Sequence, residues 1–193
     1  MTTGWLRQSP RAAKRPPPLP GEVGPTRSGT GELPQHSESM RPKVIHLPFT
    51  NRELFARLIQ CEAGGEGDTG MRGVASVVMN RVRVPYGEYQ RVGQGDIRRI
   101  INQPGQFDCL AETLGGQYNS QNIYNMNPEQ IHYDIADWAM SGGNLSVLLE
   151  SLWYFNPFNP QCPPFFPRNG TGVVQDRINR HCFYIPTQKY AQT

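Results

Sequence analysis

The uneven distribution of proline divides the chain into a proline-rich N-terminal segment and a remainder that can fold. Nine of the 18 prolines fall in residues 1–48, including a run of three at positions 16–18, and serine, glycine and arginine fill much of the rest. Such a segment buries too little apolar surface to offset the entropy lost on ordering it. We therefore predict a disordered leader over residues 1–48, with Met40 as an alternative start, and one folded domain over residues 49–193.

Charge and hydropathy argue against two classes of partner. Residues 1–43 hold seven Lys+Arg and three Asp+Glu, so the remaining 150 residues carry 12 basic against 13 acidic side chains. A folded part that is nearly neutral does not suit nucleic-acid binding. No apolar run approaches the roughly 20 residues of a membrane span, and the N-terminus lacks the apolar region of a signal peptide. We expect no membrane span and no classical export.

The four cysteines, at positions 61, 109, 162 and 182, show no C-x-x-C pair and no zinc-finger spacing. Free cysteines are commonly buried, which favours four reduced core or loop residues, although a disulfide remains open. No cluster has metal-ligand spacing. We therefore expect no metal site and no bound cofactor.

Hydrophobic periodicity predicts a mainly helical domain. The first helix starts near Thr50, which has capping-box spacing to Glu53, and ends at the glycines of residues 64–67. Further elements are predicted as follows: a helix from Asp68 or Thr69 to Val84, a short helix over Asp96–Ile101, a turn at 103–106, a helix capped by Asn127 with Ile131, Ile135, Trp138 and Ala139 buried, an apolar stretch at Leu152–Phe155, and a strand over His181–Ile185.

Glu62 is the main candidate for catalysis. It lies four residues after Leu58 and eight after Leu54, so it continues the apolar stripe of the first helix. Burial and the negative end of the helix dipole both disfavour its charged form, which raises the pKa toward the range that a general acid needs. The structural alternative is a glutamate that pairs with an arginine or caps the glycine turn.

Three other polar residues are weaker candidates. Glu66 follows Glu62 by four residues and suits a supporting role at the start of the second helix. His181 begins the predicted strand and lines a cleft in this interpretation, whereas His132 is interpreted as a surface or satisfied histidine. A nucleophilic pair of Cys61 with His181 is formally available, but nothing in the local sequence of either residue supports it.

Aromatic and amide side chains crowd the second half of the chain. Sugar-binding clefts use flat aromatic faces and amide groups, although core packing explains many aromatics equally well. We predict that the following residues contact substrate or position Glu62: Asn80, Gln106, Phe107, Tyr154 and Asn156.

These residues together resemble the SleB/CwlJ cell-wall hydrolase family, the spore cortex-lytic enzymes. The resemblance runs from about residue 51 to 190 and is carried by ARL at 56–58, CEAGGEG at 61–67, VVMNR at 77–81, QPGQF at 103–107, WYFNP at 153–157 and HCFY at 181–184. No single piece is specific, but their order and spacing are.

The resemblance implies an α+β, mainly α, lysozyme-like domain of the lytic transglycosylase superfamily, with a small irregular or β C-terminal portion. It places the catalytic glutamate at Glu62 and implies cleavage of the peptidoglycan glycan backbone in the spore cortex during germination, by lytic transglycosylation. Longer members have an export signal, a peptidoglycan-binding domain and commonly arginine at the position of Gly64 or Gly65. The chain is therefore more similar to the short CwlJ-like branch.

That branch implies synthesis in the mother cell, a place at the boundary of spore coat and cortex, a coat docking protein, and calcium dipicolinate as an activator. Transglycosylase and hydrolase chemistry both remain open. Two alternatives come from other classes: an N-acetylmuramoyl-L-alanine amidase or peptidase acting on the stem peptides, and a non-catalytic coat or glycan-binding protein.

Overall fold

The structure, a computed structural model, describes residues 49–193; the leader predicted over 1–48 and the alternative start at Met40 lie outside this range. The helices are α1 (Asn51–Ala63), α2 (Gly67–Arg83), α3 (Gly87–Gly93), α4 (Ile97–Ile101) and α5 (Gln130–Met140), and the strands are β1 (Thr113–Leu114), β2 (Gln117–Tyr118), β3 (Trp153–Phe155), β4 (Gly172–Ile178) and β5 (His181–Pro186). The predicted mainly α class with a β C-terminal portion is confirmed.

Helix α1 begins as its sequence predicts. The Thr50 hydroxyl accepts a hydrogen bond from the Glu53 backbone N–H at 3.1 Å, which is the first half of the capping box. The Glu53 carboxylate binds the Arg57 guanidinium at 3.0 Å. The apolar stripe of Leu54, Phe55, Leu58 and Ile59 is fully buried, and helices α1, α2 and α5 pack against one another around it.

Helix α5 begins three residues later than Asn127, because Glu129 and not Asn127 provides the N-cap. The Glu129 side chain accepts from the His132 backbone N–H, and His132 Nδ1 accepts from the Glu129 N–H at 2.9 Å. This reciprocal cap turns His132 inward, where 5% of it is exposed, and leaves Ile131 37% exposed. The prediction that Ile131 is buried is wrong, and His132 is a buried, satisfied histidine.

The C-terminal sheet is antiparallel, with the strand order β3–β5–β4. Strand β5 was predicted, whereas β4 and the short helix α3 were not. In the centre of the sheet Phe183 packs against Val77 of α2 and against Leu148. Gly73 permits this approach, because a Cβ atom there would lie 2.8 Å from Phe183 Cζ. The contact fixes the sheet against the helical part.

A disulfide joins Cys162, in the proline-rich loop, to Cys182 in the central strand. The expectation of four reduced cysteines is therefore wrong for this pair, since the fold brings together two residues that lie 20 positions apart. Cys61 and Cys109 are free thiols. No helix within residues 49–193 has the length and apolar character needed to cross a membrane.

Candidate active site

A cleft of about 490 Å³ lies where the end of α1, the start of α2, the start of α5 and the turn between β4 and β5 meet. Both glutamates of the 61–67 segment line it. The lining residues are Gln60, Cys61, Glu62, Ala63, Gly64, Gly65, Glu66, Met71, Gln121, Glu129, Ile131, His132 and Arg180.

Glu62 lies in the last turn of α1, partly buried at the wall of this cleft. Its carboxylate oxygen Oε2 accepts a hydrogen bond from the Tyr154 hydroxyl at 3.0 Å. Burial raises the pKa of the Glu62 carboxyl above its ordinary value of 4.5, and the negative charge of Asp108 raises it further. Hydrogen bonds from Tyr154 and Cys109 and the charge of Arg81 act in the opposite direction without reversing the shift.

Tyr154 reaches Glu62 from strand β3. Its ring packs edge-on against His181, with ring centroids 5.4 Å apart, and against Phe183 at 6.2 Å. Burial, followed by the charge of Glu62, raises the pKa of the Tyr154 hydroxyl well above 10.0. Tyr154 therefore stays protonated and acts as a donor that fixes one oxygen of Glu62.

Glu66 has a different environment. Its side chain is 4% exposed and its Oε1 atom lies 2.6 Å from Arg180 Nε, whose side chain is 63% exposed. The Arg180 backbone N–H donates to Oε2 at 3.2 Å, and Asn179 Nδ2 donates to the Glu66 carbonyl at 2.5 Å. Glu66 thus ties the start of α2 to the turn between β4 and β5.

His181 lies behind Tyr154, with 8% of its surface exposed. Burial lowers the pKa of its imidazole below 6.5, although the charge of Glu66, 4.0 Å from Nδ1, opposes the shift. The ring is therefore neutral at pH 7 and serves as a packing surface for Tyr154. Its predicted place at the cleft stays a prediction, since it does not contribute to the lining.

The predicted amide contacts with substrate have intramolecular partners in this structure. Asn80 Nδ2 donates to the carbonyls of Leu149 and Ser151 at 3.0 and 3.1 Å, which holds the segment that leads into β3. Gln106 Oε1 accepts from the Tyr89 hydroxyl at 3.1 Å. Neither side chain lines the cleft, and their predicted roles toward substrate stay predictions.

Asn156 and Phe107 also lie outside the cleft lining. Asn156 Oδ1 accepts from the Phe158 backbone N–H at 2.9 Å and so shapes the loop after β3. Phe107 is 4% exposed, with the Arg81 guanidinium 5.4 Å from its ring centroid. Phe107 therefore supports Arg81, and the predicted roles of Phe107 and Asn156 toward substrate stay predictions.

Arg81, Cys109 and Asp108 act on Glu62, and sequence reasoning missed all three. Arg81 is 4% exposed, lies over the Tyr89 ring at 4.8 Å and donates from Nε to the Leu152 carbonyl at 2.7 Å. Cys109 is 2% exposed and hydrogen-bonds with both Cys61 and Glu62. A signal existed for Arg81, because it stands in the quoted VVMNR segment. None existed for Cys109, whose neighbours Cys61 and Glu62 are 48 and 47 positions earlier in the sequence.

The cleft and the raised pKa of Glu62 define a candidate site for general acid–base chemistry on a mainly α domain. Residues 65–184 match the cell wall hydrolase family, and the chain belongs to this family of enzymes. The match begins three residues after Glu62, so the case for that residue depends on its geometry. The predicted SleB/CwlJ membership is confirmed.

Two curated relatives are similar over most of the chain. The cell wall hydrolase CwlJ of Bacillus subtilis is 30% identical over 144 residues, covering 75% of this chain and 91% of that protein. The CwlJ of Halalkalibacterium halodurans is 27% identical over 144 residues, with the same coverage of 75% and 91%.

Among solved structures, the catalytic domain of the germination-specific lytic transglycosylase SleB from Bacillus anthracis is 21% identical with a TM-score of 0.48, covering 71% of this chain and 97% of that one. The SleB catalytic domain of Bacillus cereus is 23% identical with a TM-score of 0.47, covering 69% of this chain and 88% of that one.

Proposed function

We propose that this enzyme cleaves the glycan backbone of peptidoglycan by lytic transglycosylation, with Glu62 as its single catalytic residue. The observation that carries the proposal is the position of Glu62. It is a carboxyl group at a cleft wall whose burial favours the protonated form. A general acid must hold its proton until the leaving oxygen takes it, and a raised pKa shifts the Glu62 carboxyl toward that protonated form.

The reaction needs one group that first gives and then takes a proton. Protonated Glu62 donates to the glycosidic oxygen while the bond from muramic acid C1 to that oxygen breaks. The resulting carboxylate takes the proton of the muramic acid 6-hydroxyl, whose oxygen closes onto C1. Glu62 ends protonated, no water is consumed and the product carries a 1,6-anhydro ring.

The other carboxylates of the cleft support a mechanism with one glutamate. Glu66 is held by Arg180 at 2.6 Å, and Glu129 accepts the His132 N–H in the cap of α5. Asp108 does not line the cleft, but its charge acts on Glu62. Asp108→Asn therefore tests whether this further carboxylate takes part in the reaction.

The similarity to two proteins named cell wall hydrolase CwlJ supports a proposal about the biological setting. We extend the proposal to the spore cortex during germination, at the boundary with the coat, with a coat docking protein and with calcium dipicolinate as activator. A germinating spore extract depleted of this chain should release cortex fragments more slowly. Normal release would contradict this placement.

The stem-peptide alternative depends on Cys61 acting with His181. In the structure Cys61 Sγ donates to the Gln121 carbonyl at 3.1 Å, whereas His181 packs on Tyr154 and Phe183. These separate partners favour glycan cleavage over a cysteine amidase.

Mass spectrometry of the fragments released from purified cortex tests the proposal. We expect anhydro-muramic ends from the wild type, the same ends from Asp108→Asn, and at least about 100-fold fewer from Glu62→Gln in the same time. Reducing ends would indicate a hydrolase, free stem peptides an amidase, and binding without fragments a non-catalytic protein. Any of these three results would contradict the transglycosylase proposal.

A further inference from the structure

Two free thiols flank Glu62, and the proposed reaction uses neither. Cys61 precedes Glu62 in the last turn of α1, and Cys109 lies in the short 3-10 helix Asp108–Leu110. The two Sγ atoms and a carboxylate oxygen of Glu62 all lie within 4.8 Å of one another. The linear sequence has no metal-ligand spacing here; the fold creates the cluster.

We propose that Cys61, Cys109 and Glu62 form a site for a thiophilic d¹⁰ cation such as Zn²⁺ or Cd²⁺, and that the bound ion reversibly inactivates Glu62. In a tetrahedral zinc site with Zn–S bonds of about 2.3 Å, two sulfur ligands lie roughly 3.8 Å apart. The donor atoms of the cluster, all within 4.8 Å of one another, are therefore at most about 1 Å farther apart than two ligands of such a site. Two thiolates and one carboxylate select zinc-like ions over magnesium and calcium, which prefer oxygen ligands.

The ion has an entry path and room for a fourth ligand. Cys61 and Glu62 line the 490 Å³ cleft, whereas Cys109, 2% exposed, closes the inner side of the cluster. A water molecule from the cleft can complete the coordination, as in zinc sites with three protein ligands. Binding transfers the two thiol protons and the Glu62 carboxyl proton to solvent, because the metal coordinates thiolates and a carboxylate.

Occupation of the site would stop acid catalysis directly. A Glu62 oxygen that coordinates the ion holds no proton for the leaving group, and Tyr154 already donates to Oε2 at 3.0 Å. The loss of turnover is the part of this inference that rests on the proposed function. The binding of the ion is independent of it, so the two can fail separately.

Titration of the full chain with Cd²⁺ tests binding by the ultraviolet charge-transfer band of thiolate bound to Cd²⁺. The cysteines other than the Cys162–Cys182 disulfide are kept reduced. We expect one ion per wild-type chain, displaced by Zn²⁺, and affinity at least about tenfold weaker in Cys61→Ser, Cys109→Ala and Glu62→Gln, since even groups beyond the ligands change metal affinity by 10–100-fold. Glu129→Gln, which alters another carboxylate of the cleft, is the matched control and should leave the band unchanged.

Three results would overturn the proposal. The first is no band in the reduced wild type, and the second is a band of equal affinity in Cys61→Ser, the partly exposed position at which misfolding is the smaller risk. The third is a Cys61–Cys109 disulfide that persists under mild reductant, because it removes both thiolates.

In an activity assay, Zn²⁺ should inhibit the wild type, a chelator should restore turnover, and inhibition by the same Zn²⁺ concentration should be lost in Cys61→Ser.

Discussion

Glu62 and Glu66 stand four residues apart around the same glycine pair, yet their surroundings differ in the one respect that matters for acid catalysis. Glu66 has an arginine at 2.6 Å and a backbone N–H at 3.2 Å. Glu62 has a tyrosine hydroxyl at 3.0 Å and two thiols nearby, and no lysine or arginine within residues 49–193 forms an ion pair with it. Burial raises the pKa of a carboxyl group, whereas a paired cation stabilises the carboxylate and opposes that rise. A buried glutamate therefore suits acid catalysis only where no cation pairs with it.

The largest expected effect concerns turnover. Glu62→Gln removes the proton carrier and should lower kcat by about 10²–10⁴-fold, whereas Glu66→Gln should retain most of the wild-type turnover. Initial rates of fragment release from cortex measure both variants, and circular dichroism checks that each is folded. An equal decrease of kcat in both folded variants would contradict the different roles assigned to Glu62 and Glu66.

The next effect concerns the disulfide of Cys182, which lies in β5 two residues after Arg180, the partner of Glu66. Cys162→Ser should lower the free energy of unfolding by about 3 kcal/mol for a loop of this length. Chemical denaturation with and without reductant measures it, and reductant should destabilise the wild type but not the variant. An unchanged unfolding midpoint would show that the helical part alone sets the stability.

Glu66→Gln should also be less stable than the wild type, by about 1.5–3 kcal/mol, since it weakens hydrogen bonds between charged groups. The exposed Arg180 side chain regains water in the variant, which limits the loss. A double-mutant cycle with Arg180→Gln separates this pair from other contacts. A coupling free energy near zero would show that the contact between Glu66 and Arg180 does not stabilise the fold.

The smallest expected effect is a shift in the pH profile. The Tyr154 hydroxyl lowers the pKa of Glu62 by donating to the charged form, so Tyr154→Phe should raise that pKa further. Because a general acid loses activity as pH rises through its pKa, the alkaline limb of kcat should move to higher pH. The hydrogen bond contributes about 0.5–1.5 kcal/mol net, so kcat at the optimum should change by no more than about tenfold. A shift to lower pH would contradict the arrangement.

The sequence was informative where the structure depends on local pattern. The Thr50 cap, the buried stripe of α1 and the position of Glu62 at its end all follow from spacing within 13 residues. The short helix predicted over Asp96–Ile101 is α4, which begins at Ile97 because the Asp96 side chain caps it by accepting from the N–H groups of Arg98 and Arg99.

Contacts between distant segments could not be predicted in this way. Cys162 and Cys182 pair across an irregular loop, and Cys109 approaches Cys61 only after α1 and the 3-10 helix have packed. The amides of Asn80 and Asn156 have the chemistry of sugar ligands, but carbonyl and N–H groups of the chain itself occupy them. Residue type alone does not distinguish those two uses.

The pKa of Glu62 is the quantity on which the account depends most directly. A ¹³C NMR titration of the glutamate carboxyl groups, with Glu62 assigned by its absence in Glu62→Gln, measures it. We predict a midpoint above the ordinary 4.5, because burial disfavours the carboxylate. A midpoint at or below 4.5 would mean that the group is ionised at neutral pH, and Glu62 could not then act as the general acid.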